Sequence, residues 1–373
     1  MTDPRNTKLA KVFVDHSMKV KKGDKVVICT SDLEPIDIIR ETFKLCIQRE
    51  AYVYLDVMGF NWFLDRSSYG GLVRTFYDFG TEDQFNNPSE IYKTISEWGD
   101  KYIRITSLDN YSHLNGVDPK KQTLRAKSYN DWFHNMIDKK DWVLTYYPTQ
   151  SMAEKAGMSM MALENFYFDA CLVDYKEMYK RGRKVEKVID EAKTVRIIGE
   201  KTDLTLDITG RFGEAACGDR NVPDGEVFCA PVHQKTQGHI YYDLPFAKGG
   251  TDIMGAYLEF KDGKVVKATA EQGEDILLNG LDTDGGARYL GELGLGLNYG
   301  ITQVMRNTLF DEKIGGTVHV TLGKSYKEKR GGAPEGGNDS AIHWDLVKDM
   351  RKPGSTIEID GKVMFKDGKW LVD

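Results

Sequence analysis

Residues 26–58 run strand, helix, strand. VVICTS (26–31) is a short apolar run, PIDIIRETFKLCIQRE (35–50) has helical apolar spacing behind a proline near its first turn, and AYVYLDVM (51–58) is strand-like again. KYIRITS (101–107) and DWVLTYYPT (141–149) continue the alternation, and TKLAKVFVDHSMKV (7–20) has the spacing of a helix ahead of the first strand. Strands that alternate with helices in this way predict an α/β domain with a largely parallel sheet. The turn after the first strand, CTSDLEP, contains no glycine and no GxGxxG follows it, which argues against a dinucleotide-binding fold.

The pattern changes near residue 190. Residues 151–193 read as helical and close on the charged stretch YKRGRKVEKVIDEAK. Beyond it, TVRIIGEKTDLTLDITG (194–210) and GAYLEFKDGKVVKATA (255–270) read as hairpins, the second around Asp262-Gly263, and STIEIDGKVMFKDGKWLVD offers two more Asp-Gly turns. The expected organisation is an N-terminal α/β domain over 1–190 and a strand-rich α/β C-terminal domain over 191–373, with a helical insert near 272–310.

Composition narrows the partners. The 51 basic and 57 acidic side chains leave a net charge of −6, the wrong sign for a chain whose main partner is nucleic acid or an anionic membrane. No apolar run of about 18 residues marks a membrane span and nothing resembles a signal peptide. Cys29, Cys46, Cys171, Cys217 and Cys229 are odd in number and scattered, as reduced thiols are, so a soluble cytoplasmic protein is expected.

Chemistry concentrates in four stretches of the second half. In NVPDGEVFCAP (221–231), Glu226 leaves a tight turn and enters a strand; by itself it reads as a solvated strand start. In GGARYLGELGLGLNYGI (285–301), Glu292 sits in an apolar, glycine-rich segment, where an unpaired carboxylate needs a partner or a cation. In LFDEKIGGTVHVTLGKSY (309–326), a strand would put His319, Thr321 and Gly323 on one face, with Tyr326 at its end. In DSAIHWDLVKDMR (339–351), a strand would put His343 and Asp345 on one face, whereas Asp345 as a helix cap would separate them.

Glu226, Glu292, His319, His343 and Asp345 are three carboxylates and two imidazoles, more than a single zinc site uses. They suit two divalent ions that share a carboxylate, and their charge leaves about one positive charge over, which favours a deprotonated water. Tyr326 is available as an oxyanion donor and Glu312, in the FDEK turn, as a proton shuttle. HExxH and GxSxG are both absent, so neither a zincin nor a serine-hydrolase elbow is supported.

With these residues in hand, the chain closely resembles the M29 family of metallo-aminopeptidases, the aminopeptidase T and aminopeptidase S group. NVPDGEVFCAP, YLGELGLGLNYGI, LFDEKIGGTVHVTLGKSY and NDSAIHWDLVKDMR carry the resemblance in that order, and KLAKVFVDHSMKVKKGDKVVI extends it to the N-terminal half. The resemblance implies removal of N-terminal amino acids from peptides by a site with two divalent ions (zinc, cobalt, manganese or magnesium). It places the ligands on Glu226, Glu292, His319, His343 and Asp345, with Glu292 as the bridge, and a functional tyrosine on Tyr326. It further implies a catalytic C-terminal domain and a homodimer around an enclosed cavity. The link KEKRGGAPEGGNDS (327–340) and the segment RFGEAACGDR (211–220) depart from the family pattern and bear on substrate preference. Two other readings compete on the ligand set alone: a dinuclear phosphoesterase, and a binding protein whose ions are structural.

Overall fold

The computed structural model describes residues 3–57, 71–87, 90–248 and 251–372. It divides into two compact units, Met1–Leu172 with Gly218–Pro223, and Val173–Cys217 with Asp224–Asp373.

The first unit holds α1 (Pro4–Lys11), β1 (Lys25–Thr30), α2 (Ile36–Gln48), β2 (Tyr52–Val57), α3 (Leu72–Phe79), α4 (Glu82–Asn86), α5 (Glu90–Trp98), β3 (Lys101–Thr106), α6 (Pro119–Lys139), β4 (Asp141–Tyr146), α7 (Gln150–Ala156) and α8 (Met160–Cys171). Its sheet has the order β2-β1-β3-β4 and every pair is parallel. Met58, the end of the expected second strand, lies outside the described residues. Val26, Val27 and Ile28 of the central strand are all fully buried, which a parallel strand covered on both faces requires. The α2 helix explains its own seating: Ile38, Ile39, Thr42, Leu45 and Cys46 form its buried face at helical spacing. The helix expected over 7–20 is interrupted. After α1 the chain widens into a π-helical segment, Val12–Ser17, in which the Met18 N–H reaches back to Phe13 O at 2.9 Å. Ser17 Oγ donates to Val12 O there, taking a carbonyl that a regular helix would give to a backbone N–H.

The second unit opens with α9 (Tyr175–Glu191), capped by Asp174, whose carboxylate accepts from the Lys176 and Glu177 N–H groups. Strands follow: β5 (Thr194–Gly199), β6 (Thr202–Asp207), β7 (Glu214–Ala216), β8 (Glu226–Cys229), β9 (Gln237–Tyr242), β10 (Phe246–Lys248), β11 (Thr251–Ile253), β12 (Ala256–Lys261) and β13 (Lys264–Thr269). Then come α10 (Glu274–Leu281), β14 (Leu290–Gly296), α11 (Thr308–Asp311), β15 (Thr317–Gly323), β16 (His343–Asp349), β17 (Thr356–Ile359), β18 (Lys362–Lys366) and β19 (Lys369–Trp370). An eight-stranded sheet has the order β13-β12-β9-β6-β5-β17-β18-β19, and a five-stranded antiparallel sheet has the order β16-β15-β14-β8-β7. Asp262-Gly263, Asp360-Gly361 and Asp367-Gly368 each turn a hairpin with both residues at positive φ (Asp262 +49° and Gly263 +81°, for example), the conformation that matches strand twist.

The expected helical insert near 272–310 is corrected by this fold. Only Glu274–Leu281 and Thr308–Asp311 are helical within it, and Leu290–Gly296 is a strand at the centre of the five-stranded sheet with all seven residues buried. A strand buried on both faces shows no polar alternation, so its apolar and glycine run carries no period by which to recognise it.

Candidate metal centre

The five-stranded sheet brings the candidate ligands together through its register. Glu292 lies opposite Thr321, Gly294 opposite His319, and Gly296 opposite Glu226. Asp345 lies opposite Thr321, and His343 opposite Gly323. Side chains directly opposite one another share a face, and so do residues two apart along a strand. Glu226 of β8, Glu292 of β14, His319 of β15 and His343 and Asp345 of β16 therefore all lie on one face, contributed by four adjacent strands. Asp345 belongs to a strand, so the helix-cap alternative fails. Glu226 is only 5% exposed, so a solvated strand start fails as well.

Glycine makes room on that face. A Cβ on Gly294 would meet His319 Cε1 and Nε2 at 1.9 Å, so the imidazole lies directly over bare backbone.

Within this hollow, Glu226, Glu292 and His319 each present a ligand atom within 4.8 Å of the others. His319 Nε2 lies 3.2 Å from Glu292 Oε1 and 3.4 Å from Glu226 Oε2. On the other side of the same glutamate, His343 Nε2 lies 3.7 Å from Glu292 Oε2 and 3.4 Å from Asp345 Oδ1. The two oxygens of Glu292 thus face two different imidazoles. Each imidazole is turned the same way by a backbone carbonyl: His319 Nδ1 contacts Glu312 O at 3.1 Å and His343 Nδ1 contacts Lys324 O at 2.8 Å. An Nδ1–H that donates to a carbonyl leaves Nε2 pointing into the hollow, the orientation of a metal-ligating histidine. Asp345 is held in turn by Thr321, whose Oγ1 donates to Oδ1 at 2.5 Å.

The residues fit a cation. Glu226 Oε2 and Glu292 Oε2 are buried with no hydrogen-bond partner among the described residues, a costly state for a carboxylate unless a positive charge meets it. Proton affinities tell the same story. Burial pushes Glu226 up to about 7, against the pull of Lys313 and His319. Burial opposes the charging of His319, but its hydrogen bond to Glu292 and the charge of Glu226 outweigh it and raise the imidazole to about 9. His343 is raised against burial by Asp345 and Glu292, and Asp345 is lowered against burial chiefly by His343.

Tyr326 follows β15, its ring 5.2 Å from that of His343 and 5.9 Å from that of Phe228. Although the residue as a whole is about half exposed, burial of the hydroxyl and the charges of Glu292, Asp345 and Glu312 hold the phenol well above its ordinary range. It is a neutral O–H donor at neutral pH. Glu312, at the end of α11, is raised to about 7 by burial, partly offset by Lys313. Of the spare histidines, His239 lies in β9 of the other sheet and His233 packs edge-on against Tyr289. Cys229 is a buried free thiol on the opposite strand parity from Glu226.

Sequence reasoning missed Lys313. Its ammonium lies 2.5 Å from Glu226 Oε1 and 2.7 Å from Glu312 Oε1, and the residue is 3% exposed. A lysine in a charged turn reads as solvated; the one signal against that is the apolar, glycine-rich stretch it leads into.

The chain as a whole is similar to several known proteins. A model described as thermophilic metalloprotease (M29) matches residues 2–370. The aminopeptidase AmpS of Bacillus subtilis is 32% identical over 97% of this chain and 97% of its own length. Aminopeptidase T of Thermus thermophilus is 24% identical over 98% of each chain. Among solved structures, wild-type AmpT from Thermus thermophilus superposes with a TM-score of 0.81 at 22% identity, covering 99% of both chains. A 2,5-dihydroxypyridine dioxygenase from Pseudomonas putida KT2440 superposes with a TM-score of 0.60 at 13% identity, covering 99% of this chain and 98% of that one. The fold thus serves more than one chemistry, and the side chains of the site must decide between them.

Proposed function

Because the chain belongs to the M29 family of thermophilic metalloproteases, it is a peptide hydrolase of the aminopeptidase type, and we propose that it works through a dinuclear metal centre. One ion would be held by Glu226, Glu292 and His319, the other by Glu292, His343 and Asp345. The observation that carries this reading is Glu292, whose two oxygens face two imidazoles, each already turned to offer Nε2. Three carboxylates and two neutral imidazoles against two divalent ions leave about one positive charge.

Divalent ions held by these residues would supply Lewis-acid polarisation of a peptide carbonyl and a water acidified from a pKa of about 15.7 toward 7. The protein's own residues do the rest. Tyr326 O–H donates to the oxygen on which charge develops as the carbonyl becomes tetrahedral. Glu312 carries the proton from water to the departing amine, a role for which its position beside the centre suits it. Thr321 and the carbonyls of Glu312 and Lys324 hold the ligand atoms in line. The substrate is a peptide with a free N-terminus. The family resemblance further supports a homodimer acting in the cytoplasm; among the described residues no helix is long and apolar enough to cross a membrane.

The test is hydrolysis of a leucyl anilide by chelator-stripped protein titrated with zinc, cobalt, manganese or magnesium. Activity absent from the stripped protein and saturating at two ions per chain is expected. Two tightly bound ions with no turnover of any peptide or anilide would sink the catalytic assignment.

A further inference from the structure

Lys313 is a buried cation beside the candidate metal ligands. Its ammonium sits 2.5 Å from Glu226 Oε1, 2.7 Å from Glu312 Oε1 and 4.0 Å from Asp224 Oδ1. Burial works against its charge, but Glu226, Glu312 and Asp224 together more than restore it. Glu226 is therefore a divided ligand. Oε1 belongs to Lys313, while Oε2, 3.4 Å from His319 Nε2, is buried and without a hydrogen bond. The other half of the centre differs. Among the described residues, neither His343 nor Asp345 forms an ion pair with a lysine or arginine; His343 Nε2 contacts Asp345 and Glu292, and Lys313 acts on Asp345 only through its longer-range field.

We propose that Lys313 is a positioning residue that makes the two metal sites unequal: it restricts Glu226 to one ligand oxygen and places a fixed positive charge beside the Glu226–Glu292–His319 site, so that the Glu292–His343–Asp345 site fills first and more tightly. The inference rests on the dinuclear reading above. Its physics is like-charge repulsion at short range in a buried setting, where solvent screening is weak. The same ammonium offsets part of the negative charge that Glu226, Glu312 and Asp224 bring together, and so lowers their mutual repulsion in the stripped protein. Counting these three with Glu292 and Asp345, five carboxylates are balanced by Lys313 and two divalent ions.

The experiment is a cobalt titration of the chelator-stripped full chain, followed by calorimetry and by the visible absorption of bound cobalt, with no substrate present. Wild type is expected to bind two ions with dissociation constants at least about tenfold apart. His343→Ala should remove the tighter step and His319→Ala the weaker one. Lys313→Met should tighten the weaker step about tenfold or more and lower the melting temperature of the stripped protein, while Lys313→Arg keeps the gap. If Lys313→Met does not fold, Lys313→Gln carries the same test. Equal affinities in wild type, or a weaker step that Lys313→Met leaves unchanged or loosens, overturns the proposal. Fewer than two ions bound by wild type would instead bring down the dinuclear reading, and this inference with it.

Discussion

Gly294→Ala is the smallest change that should disable the centre while leaving the fold in place. The added Cβ would meet His319 Cε1 and Nε2 at 1.9 Å, and ordinary contact begins at 3.4 Å, so the ring must move by about 1.5 Å. It has little freedom to do so, being 1% exposed and held through Nδ1 by Glu312 O. Two effects on stability oppose each other. Replacing a strand glycine gains roughly 0.5–1 kcal/mol of backbone entropy. Overpacking a full interior costs about 1–3 kcal/mol. The clash should win, for a net loss of about 1–2 kcal/mol, within what a folded domain tolerates. Metal binding should suffer far more, since ligand distances must hold to about 0.2 Å and a 1 Å misplacement alone can cost about 10²-fold in rate. The assay pairs metal content after gel filtration with anilide turnover and a melting curve. Loss of one ion per chain and at least about a hundredfold loss of kcat, with a cooperative melt retained, is expected. Wild-type metal content and turnover in Gly294→Ala would refute the placement of His319 over Gly294.

Three further perturbations probe other links. Tyr326→Phe should lower kcat by about 10²–10³ with KM and metal content nearly unchanged, because the hydroxyl is assigned to developing charge alone; a matching rise in KM would point to ground-state binding. Thr321→Val removes the donor that orients Asp345 and should weaken metal affinity about 10–100-fold, measured by chelator competition, with little change in melting temperature of the metal-loaded protein. Asp56 of β2 tests the first unit: it is 6% exposed, Oδ2 has no hydrogen-bond partner among the described residues, and burial pushes its carboxyl from 3.8 up to about 6. The folded state then holds the proton more tightly than the unfolded chain between those values, so stability falls as pH rises through that window, by up to ~3 kcal/mol at about 1.4 kcal/mol per unit. Asp56→Asn should therefore raise stability at pH 7 by up to ~2 kcal/mol and bring no gain below pH 4, as read from urea melts; equal effects at both pH values would refute the burial argument.

Much of the fold was legible because it is local. The Asp-Gly hairpins rest on two adjacent residues that tolerate positive φ, and α2 on an apolar face repeated along one segment. Glu292 stood out because a carboxylate in an apolar, glycine-rich run demands compensation wherever the run ends up. The strand around it did not stand out, because burial on both faces erases the alternation that marks a strand. The widened turn at Val12–Ser17 was equally silent, since the period of its apolar residues fits an ordinary helix as well.

The sequence by itself determined which side chains could do chemistry and which segments would turn or coil, since both are properties of a residue and its near neighbours. The tertiary structure alone decided how those side chains meet. Glu226 and Lys313 are 87 positions apart and Glu292 and His319 are 27 apart, and only the antiparallel register and the loop that follows α11 bring them into contact. That register also set Gly294 beneath His319, aimed each Nε2 inward through a distant carbonyl, and turned Lys313 from a surface charge into a buried one. Contacts of that kind depend on which strands pair and at what offset, a choice made by the packing of the whole sheet and written in no single stretch of chain.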